Sequence, residues 1–124
     1  MRLNHECIRD IILIVEDTTT ASIPYVSAEK IHNDLNDIYD EETINYHILY
    51  IESADLVERV SIADGNIPIH IWDLTPLGHD YASNIRDNKV WSKVISAVSK
   101  FTSVSLPVLI DKSAQIAFDL LNHS

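Results

Sequence analysis

Six histidines and one cysteine are the residues of this chain best suited to nucleophilic or metal chemistry, and their spacing decides whether either is available. His5, His32, His47, His70, His79 and His123 include no His-x-x-x-His pair, and the single Cys7 rules out Cys-x-x-Cys. Such spacing is the local signature of a metal site, so the metal signal is poor. Cys7 follows His5 and Glu6, but neighbours in the first turn of a helix point in different directions, so no nucleophile–base pair is expected. His47 falls beside an apolar helical stripe and reads as a hydrogen-bonded structural residue. Gly65 and Gly78 are the only glycines, too few for a phosphate-cradling loop. The chain is therefore expected to be non-enzymatic, with no cofactor and no metal.

Charge is the stronger signal. Nineteen acids against nine bases give a formal charge of −10 on 124 residues. Between Ser27 and Val60, nine carboxylates face only Lys30 and Arg59. Asp37, Asp40, Glu41, Glu42 and Glu52, with Asn45 among them, mark an expected acidic protein-binding face. Between Asn84 and Ser124 the balance reverses to +2, and Arg86, Lys89 and Lys93 are the candidate contacts for an anion or nucleic acid.

The elements that must carry these residues follow from caps and periodicity. Asn4 caps a first helix with Ile8, Ile11, Ile12 and Val15 on one face, running to about Asp17. A loop leads into a short extended segment near Tyr25. Ser27 caps a second helix of about three turns with the stripe Ala28, Ile31, Leu35, Ile38. Asp40 opens a third, with Ile44, Ile48 and Ile51 inward, to about Ala54. Asp55 suits the left-handed exit from that helix. Leu56 to Ile62 and Ile67 to Asp73 alternate with period two around the turn Asp64-Gly65-Asn66, a hairpin or wing. Pro68 puts the second strand at an edge or leaves its first residues unpaired. On that wing Asp64, Asn66, His70 and Trp72 are the candidate contacts, Trp72 as an exposed aromatic anchor. Thr75-Pro76 starts a helical stretch to about Phe101, one bent helix or two. Leu109, Ile110, Ile116, Ala117, Leu120 and Leu121 give a last helix a broad apolar face.

These elements predict a mainly α fold with a small β-hairpin, a winged helix-turn-helix extended by C-terminal helices. One domain is expected, with residues 1–88 as its core and 89–124 as a helical extension that covers the domain or pairs with a second copy in a homodimer. The longest apolar run, Ile11 to Val15, is far short of the roughly 20 residues that span a bilayer. With a lone cysteine and no signal-like leader, a cytoplasmic protein is expected, without membrane contact.

Ile51 to Val57 at the wing boundary and Leu74-Thr75-Pro76-Leu77-Gly78 after it resemble MarR-type winged-helix regulators, whose third helix enters the major groove and whose wing tip is basic. Met1 to Asp10, Tyr46-His47-Ile48, Leu74 to Tyr81 and Asn84 to Trp91 resemble a small family of unknown function from phages and prophages of Gram-positive bacteria. That resemblance implies a mobile-element origin and carries no site residues across. Asp40, Glu41 and Glu42 would meet base edges in a MarR-like docking, which is unfavourable. The expectation is an accessory protein of a bacterial host cell that binds a host or phage protein and acts on a nucleic-acid-handling or defence complex. The alternative is a DNA-binding regulator that uses Arg86, Lys89, Lys93, Arg2 and Arg9.

Overall fold

The structure, a computed structural model, describes residues 1–123. It is mainly helical with a small three-stranded antiparallel sheet. The chain separates into two compact units, Met1–His79 and Asp80–Ser124. The division falls inside a helix, ahead of the boundary after Asn88 that the sequence suggests.

In the first unit, α1 (His5–Thr18) begins where Asn4 Oδ1 accepts a hydrogen bond from the Cys7 amide at 3.0 Å. Cys7, Ile8, Ile11, Ile12 and Val15 are all fully buried along its inner face. Burying each large aliphatic side chain contributes about 1.5–3 kcal/mol, so this stripe is a principal source of stability. β1 (Tyr25–Ser27) leads directly into α2 (Ala28–Leu35), capped by Ser27 Oγ on the Lys30 amide. α2 is shorter than its apolar pattern suggests. The amides of Ile38 and Tyr39 both donate back to the Leu35 carbonyl at 3.0 Å, closing a turn. Ile38, expected in the core stripe, is therefore 65% exposed, whereas Ala28, Ile31 and Leu35 are buried.

Asp40 caps α3 (Glu41–Ser53) through the Thr43 amide at 2.8 Å. Ile44, His47, Ile48 and Ile51 face inward. The helix ends through a left-handed residue, as expected for Asp55, at φ 62°. The Asp55 amide donates to Glu52 O and the Leu56 amide to Ile51 O, the paired bonds that close a helix C-terminus around such a residue.

β2 (Val60–Ala63) and β3 (Ile67–Trp72) form the hairpin, with Gly65 and Asn66 at positive φ in the turn. β2 starts later than the alternation suggested, and Val57 makes only an isolated bridge to Leu74. The strand order is β1-β3-β2, so β3 is central, not the edge strand that Pro68 allowed for. Nor are the first residues of β3 left unpaired: β1 reaches only to His70, but Ile67 and Pro68 pair with Ala63 and Ile62 of β2. On the other side Ser61 pairs with His70 and Ile62 with Pro68, so Ile69 is the extra residue of a bulge. The bulge resets the alternation. Pro68 and Ile71 are buried, while Ile67 and Ile69 face out.

The chain then enters α4 (Pro76–Arg86) at a tight contact with α3's exit. Thr75 Oγ1 donates to Asp55 O and accepts from the Gly78 amide. A Cβ on Gly78 would sit 2.0 Å from Leu56 O, so only glycine fits.

In the second unit, the stretch after Thr75 proves to be two helices, because Asp87 caps α5 (Asn88–Val98) through the amides of Lys89 and Val90. α5 packs on α6 (Leu106–Asn122), burying Val90, Trp91 and Val94 from one and Leu106, Leu109 and Ser113 from the other. The broad apolar face expected of α6 is only partly used. Of its proposed members just Leu109 is buried, and Leu121 is 76% exposed.

Candidate protein-docking site

The exposed face of α3 lies opposite the wing, and a groove of about 490 Å³ runs between them. One end is lined by Glu41, Glu42 and Asn45, the middle by Tyr46 and Leu49, and the wing side by Gly65, Asn66 and Ile67. Tyr46 and Ile67 are 41% and 50% exposed, large apolar groups in water. A second hollow of about 360 Å³ shares Glu41, Asn45 and Ile67 and continues past Glu29 and His32 to Pro68, Ile69 and His70. None of the residues lining either hollow is a lysine or an arginine.

The local sequence explains this surface. Ile44, Ile48 and Ile51 turn one stripe of α3 into the core, while Glu42, Tyr46 and Leu49 recur at helical spacing on another side. The bulge at Ile69 brings two isoleucines of β3 to the exposed surface.

The expected acidic face divides on inspection. Glu41 and Glu42 line the groove, and Asp37 is exposed in the turn before α3. Asp40 is occupied as the cap, and hydrogen bonds from the Thr43 hydroxyl and amide lower its pKa. Asn45 Oδ1 accepts from His32 Nε2–H at 2.7 Å, fixing the side chain at the groove's edge. Glu52 belongs elsewhere: its Oε2 accepts from the Val60 amide at 2.7 Å and holds the start of β2 against α3.

On the wing, Asp64 and Asn66 are exposed at the tip. His70 and Trp72 share the outer sheet face, but Trp72 is half-buried and not the free anchor expected. The Arg59 guanidinium stacks 4.4 Å from its ring centroid, Tyr25 packs at 5.1 Å, and its indole Nε1–H donates to Ser61 Oγ at 3.3 Å. Tyr46, Leu49 and Ile67 are the groove residues that the acidic pattern alone did not mark. The recurrence of Tyr46 and Leu49 outside the core stripe is the signal that could have found them.

Arg86 sits in the last turn of α4, with Lys89 and Lys93 one turn apart on α5, all exposed. The Asp87 carboxylate lies between Arg86 and the lysines in sequence and is bound to amides at the helix start.

Two of the groups suited to chemistry, His47 and Cys7, are enclosed by the fold. His47 is fully buried. Its Nδ1 faces Thr43 O at 2.8 Å and its Nε2 receives the Asn4 amide at 2.8 Å. A carbonyl can only accept and an amide N–H only donate, so the ring is neutral with its proton on Nδ1 and no nitrogen left for a metal. Cys7 is fully buried, and burial, assisted by the charge of Asp10, pushes its thiol up to about 12, so it is not a nucleophile at neutral pH. Burial also raises the carboxyl pKa of Asp10, with Glu6 adding to the effect and the Tyr39 hydroxyl, 2.8 Å away, opposing it. His79 lies 4.0 Å from Glu16 and 3.8 Å from Asp73, an open surface arrangement. Among the described residues no three histidine, cysteine or carboxylate groups converge as a metal site. No helix among them is long and apolar enough to cross a membrane.

Fold and site together define a mainly helical protein with a small sheet and an acidic groove between α3 and the wing. The family model for "Hypothetical protein (DUF2513)" matches residues 2–105, and the chain belongs to that family. It is also similar to an uncharacterized protein of Haemophilus influenzae (strain Rd), 27% identical over 124 residues, covering 99% of this chain and 98% of that one. No solved structure matches the chain.

Proposed function

We propose that this is a non-enzymatic accessory protein of phage or prophage origin that works in the bacterial cytoplasm and binds another protein through the α3–wing groove. In this reading the first unit is a winged helix, with α2 and α3 as its helix pair and β2–β3 as the wing. The helix order and the β1-β3-β2 sheet support that assignment. The carrying observation is the composition of the groove: two carboxylates at one end, a tyrosine, a leucine and an isoleucine along it, and no cation. A duplex needs phosphate neutralisation, and this surface offers the opposite sign. A protein segment with lysine or arginine beside an apolar side chain satisfies both ends, since exposed tyrosine commonly anchors protein contacts. Partners of that chemistry include components of nucleic-acid-handling or defence complexes, which carry basic surfaces for their own substrates.

The test compares proteins retained from host lysate by the full chain and by its Tyr46→Ala and Glu41→Lys/Glu42→Lys variants, all with matching circular dichroism. One protein held by the wild type and lost by both variants supports the reading. Salt-sensitive binding of random duplex DNA, abolished by neutralising Arg86, Lys89 and Lys93, would establish the regulator alternative instead.

A further inference from the structure

The hollow of about 360 Å³ that continues the groove past Glu41 is lined by two imidazoles, His32 of α2 and His70 of β3, together with the carboxylates of Glu29 and Glu41. His32 is held in place, because its Nε2–H donates to Asn45 Oδ1 of α3 at 2.7 Å. An amide oxygen only accepts, so the neutral ring carries its proton on Nε2 and a lone pair on Nδ1. Protonation at Nδ1 then adds a charge and leaves the bond to Asn45 as it was. His70 is half-buried, with the ring of Tyr25 from β1 edge-on at 4.9 Å.

Imidazole is the one side chain whose ordinary titration falls between pH 5 and 8. With both rings neutral, the two glutamates give the hollow a formal charge of −2; with both rings protonated the sum is zero, since no lysine or arginine lines it. The charged groups around it do not reverse this change. On α2, Lys30 is engaged by Asp34 at 2.8 Å, and on α3, Glu42 adds a further carboxylate in the adjoining groove. β2 has no titratable side chain, and Arg59 just before it is stacked 4.4 Å from the Trp72 ring centroid. No residue of α1 lines the hollow. We infer, on the reading of the groove as a protein-docking site, that this hollow is the subsite for a cationic side chain of the partner, and that His32 and His70 close it to cations in acid. Linkage fixes the sign. An imidazolium beside a bound guanidinium is disfavoured, so binding selects the neutral rings, and affinity is greatest above the imidazole range and falls as pH drops through it.

The test is titration calorimetry of the full chain, in about 0.01 M salt, with a hexapeptide of alternating arginine and leucine blocked at both ends. Guanidinium stays charged throughout, so the peptide is the same cation at pH 8 and at pH 5.5. Affinity for the wild type is expected to fall at least about threefold between those values, the scale of one or two exposed charge pairs at low salt. His32→Gln/His70→Gln keeps an amide donor for Asn45 and cannot take up the charge; it should match wild type at pH 8 and lose the pH dependence. His79→Gln, outside the hollow, should keep it. Glu41→Lys/Glu42→Lys separates the pH switch from the docking site itself. Binding that this variant loses but that is equal at both pH values in wild type leaves the groove standing and overturns the inference, as does a pH dependence that persists without His32 and His70. Absence of binding at either pH overturns it too, and binding that survives the charge reversal overturns the groove reading with it.

Discussion

His47 joins two helices through a single ring. Its Nε2 satisfies the amide of Asn4, the residue that also caps α1, and its Nδ1–H satisfies Thr43 O within α3. Replacing it with alanine removes both partners and opens a cavity at a fully buried position, so His47→Ala should cost about 3 kcal/mol in urea unfolding. A loss under about 1 kcal/mol would mean that water replaces the ring. Asp10 behaves in the opposite sense to a stabilising carboxylate. Its pKa is raised in the folded protein, chiefly by burial, so the charged form is penalised at neutral pH, and that penalty disappears as pH falls through the raised value to the ordinary 3.8. Asp10→Asn is expected to raise the melting temperature at pH 7 and to converge with wild type in acid; a variant less stable at pH 7 would show that the Tyr39 contact outweighs burial. Asp40, with its lowered pKa, has the reverse sign. Its contribution is present above the ordinary carboxylate pKa and is lost as pH falls through the lowered one.

At the scale of elements, what could be read from sequence was whatever is settled within about four residues. Asn4, Ser27 and Asp40 each cap the helix they precede, Asp55 takes its left-handed turn, and Gly65 and Asn66 turn the hairpin, because these choices depend on side chains next to the backbone they serve. What escaped depends on partners distant in sequence. Tyr25 was legible as extended, but its pairing with Trp72, which makes β3 central, was not. Ile38 had helical phase yet lies past the turn closed on Leu35. The groove was half visible: the carboxylates of α3 were evident, whereas Ile67 became part of it only through the fold of the hairpin. Gly78 shows the same limit. Its motif was clear, but the reason for it is the Leu56 carbonyl, 22 positions earlier in the chain. Gly78→Ala must push α4 off that carbonyl and should cost at least about 2 kcal/mol, in the range of core overpacking. Loss of the α5 cap is milder: Asp87→Ala should cost about 1 kcal/mol, read from thermal unfolding.

The whole molecule combines a strongly negative first unit with a nearly neutral second one, and this asymmetry has a consequence for stability in salt. Charges of one sign held on a folded surface repel, and the repulsion relaxes when the chain expands on unfolding. With 15 acids and 4 bases between Met1 and His79, repulsion outnumbers attraction among the pairs available there, and the exposed Lys30–Asp34 pair at 2.8 Å offsets little of it. Screening is weak at about 0.01 M salt, where the Debye length is about 30 Å, and strong at 0.15 M, where it is about 8 Å. The melting temperature is therefore expected to rise between those conditions in sodium chloride. A fall over the same range would mean that attractive pairs dominate the folded surface. The acidic groove would then be a neutralised patch, with little field left to draw in a cationic partner.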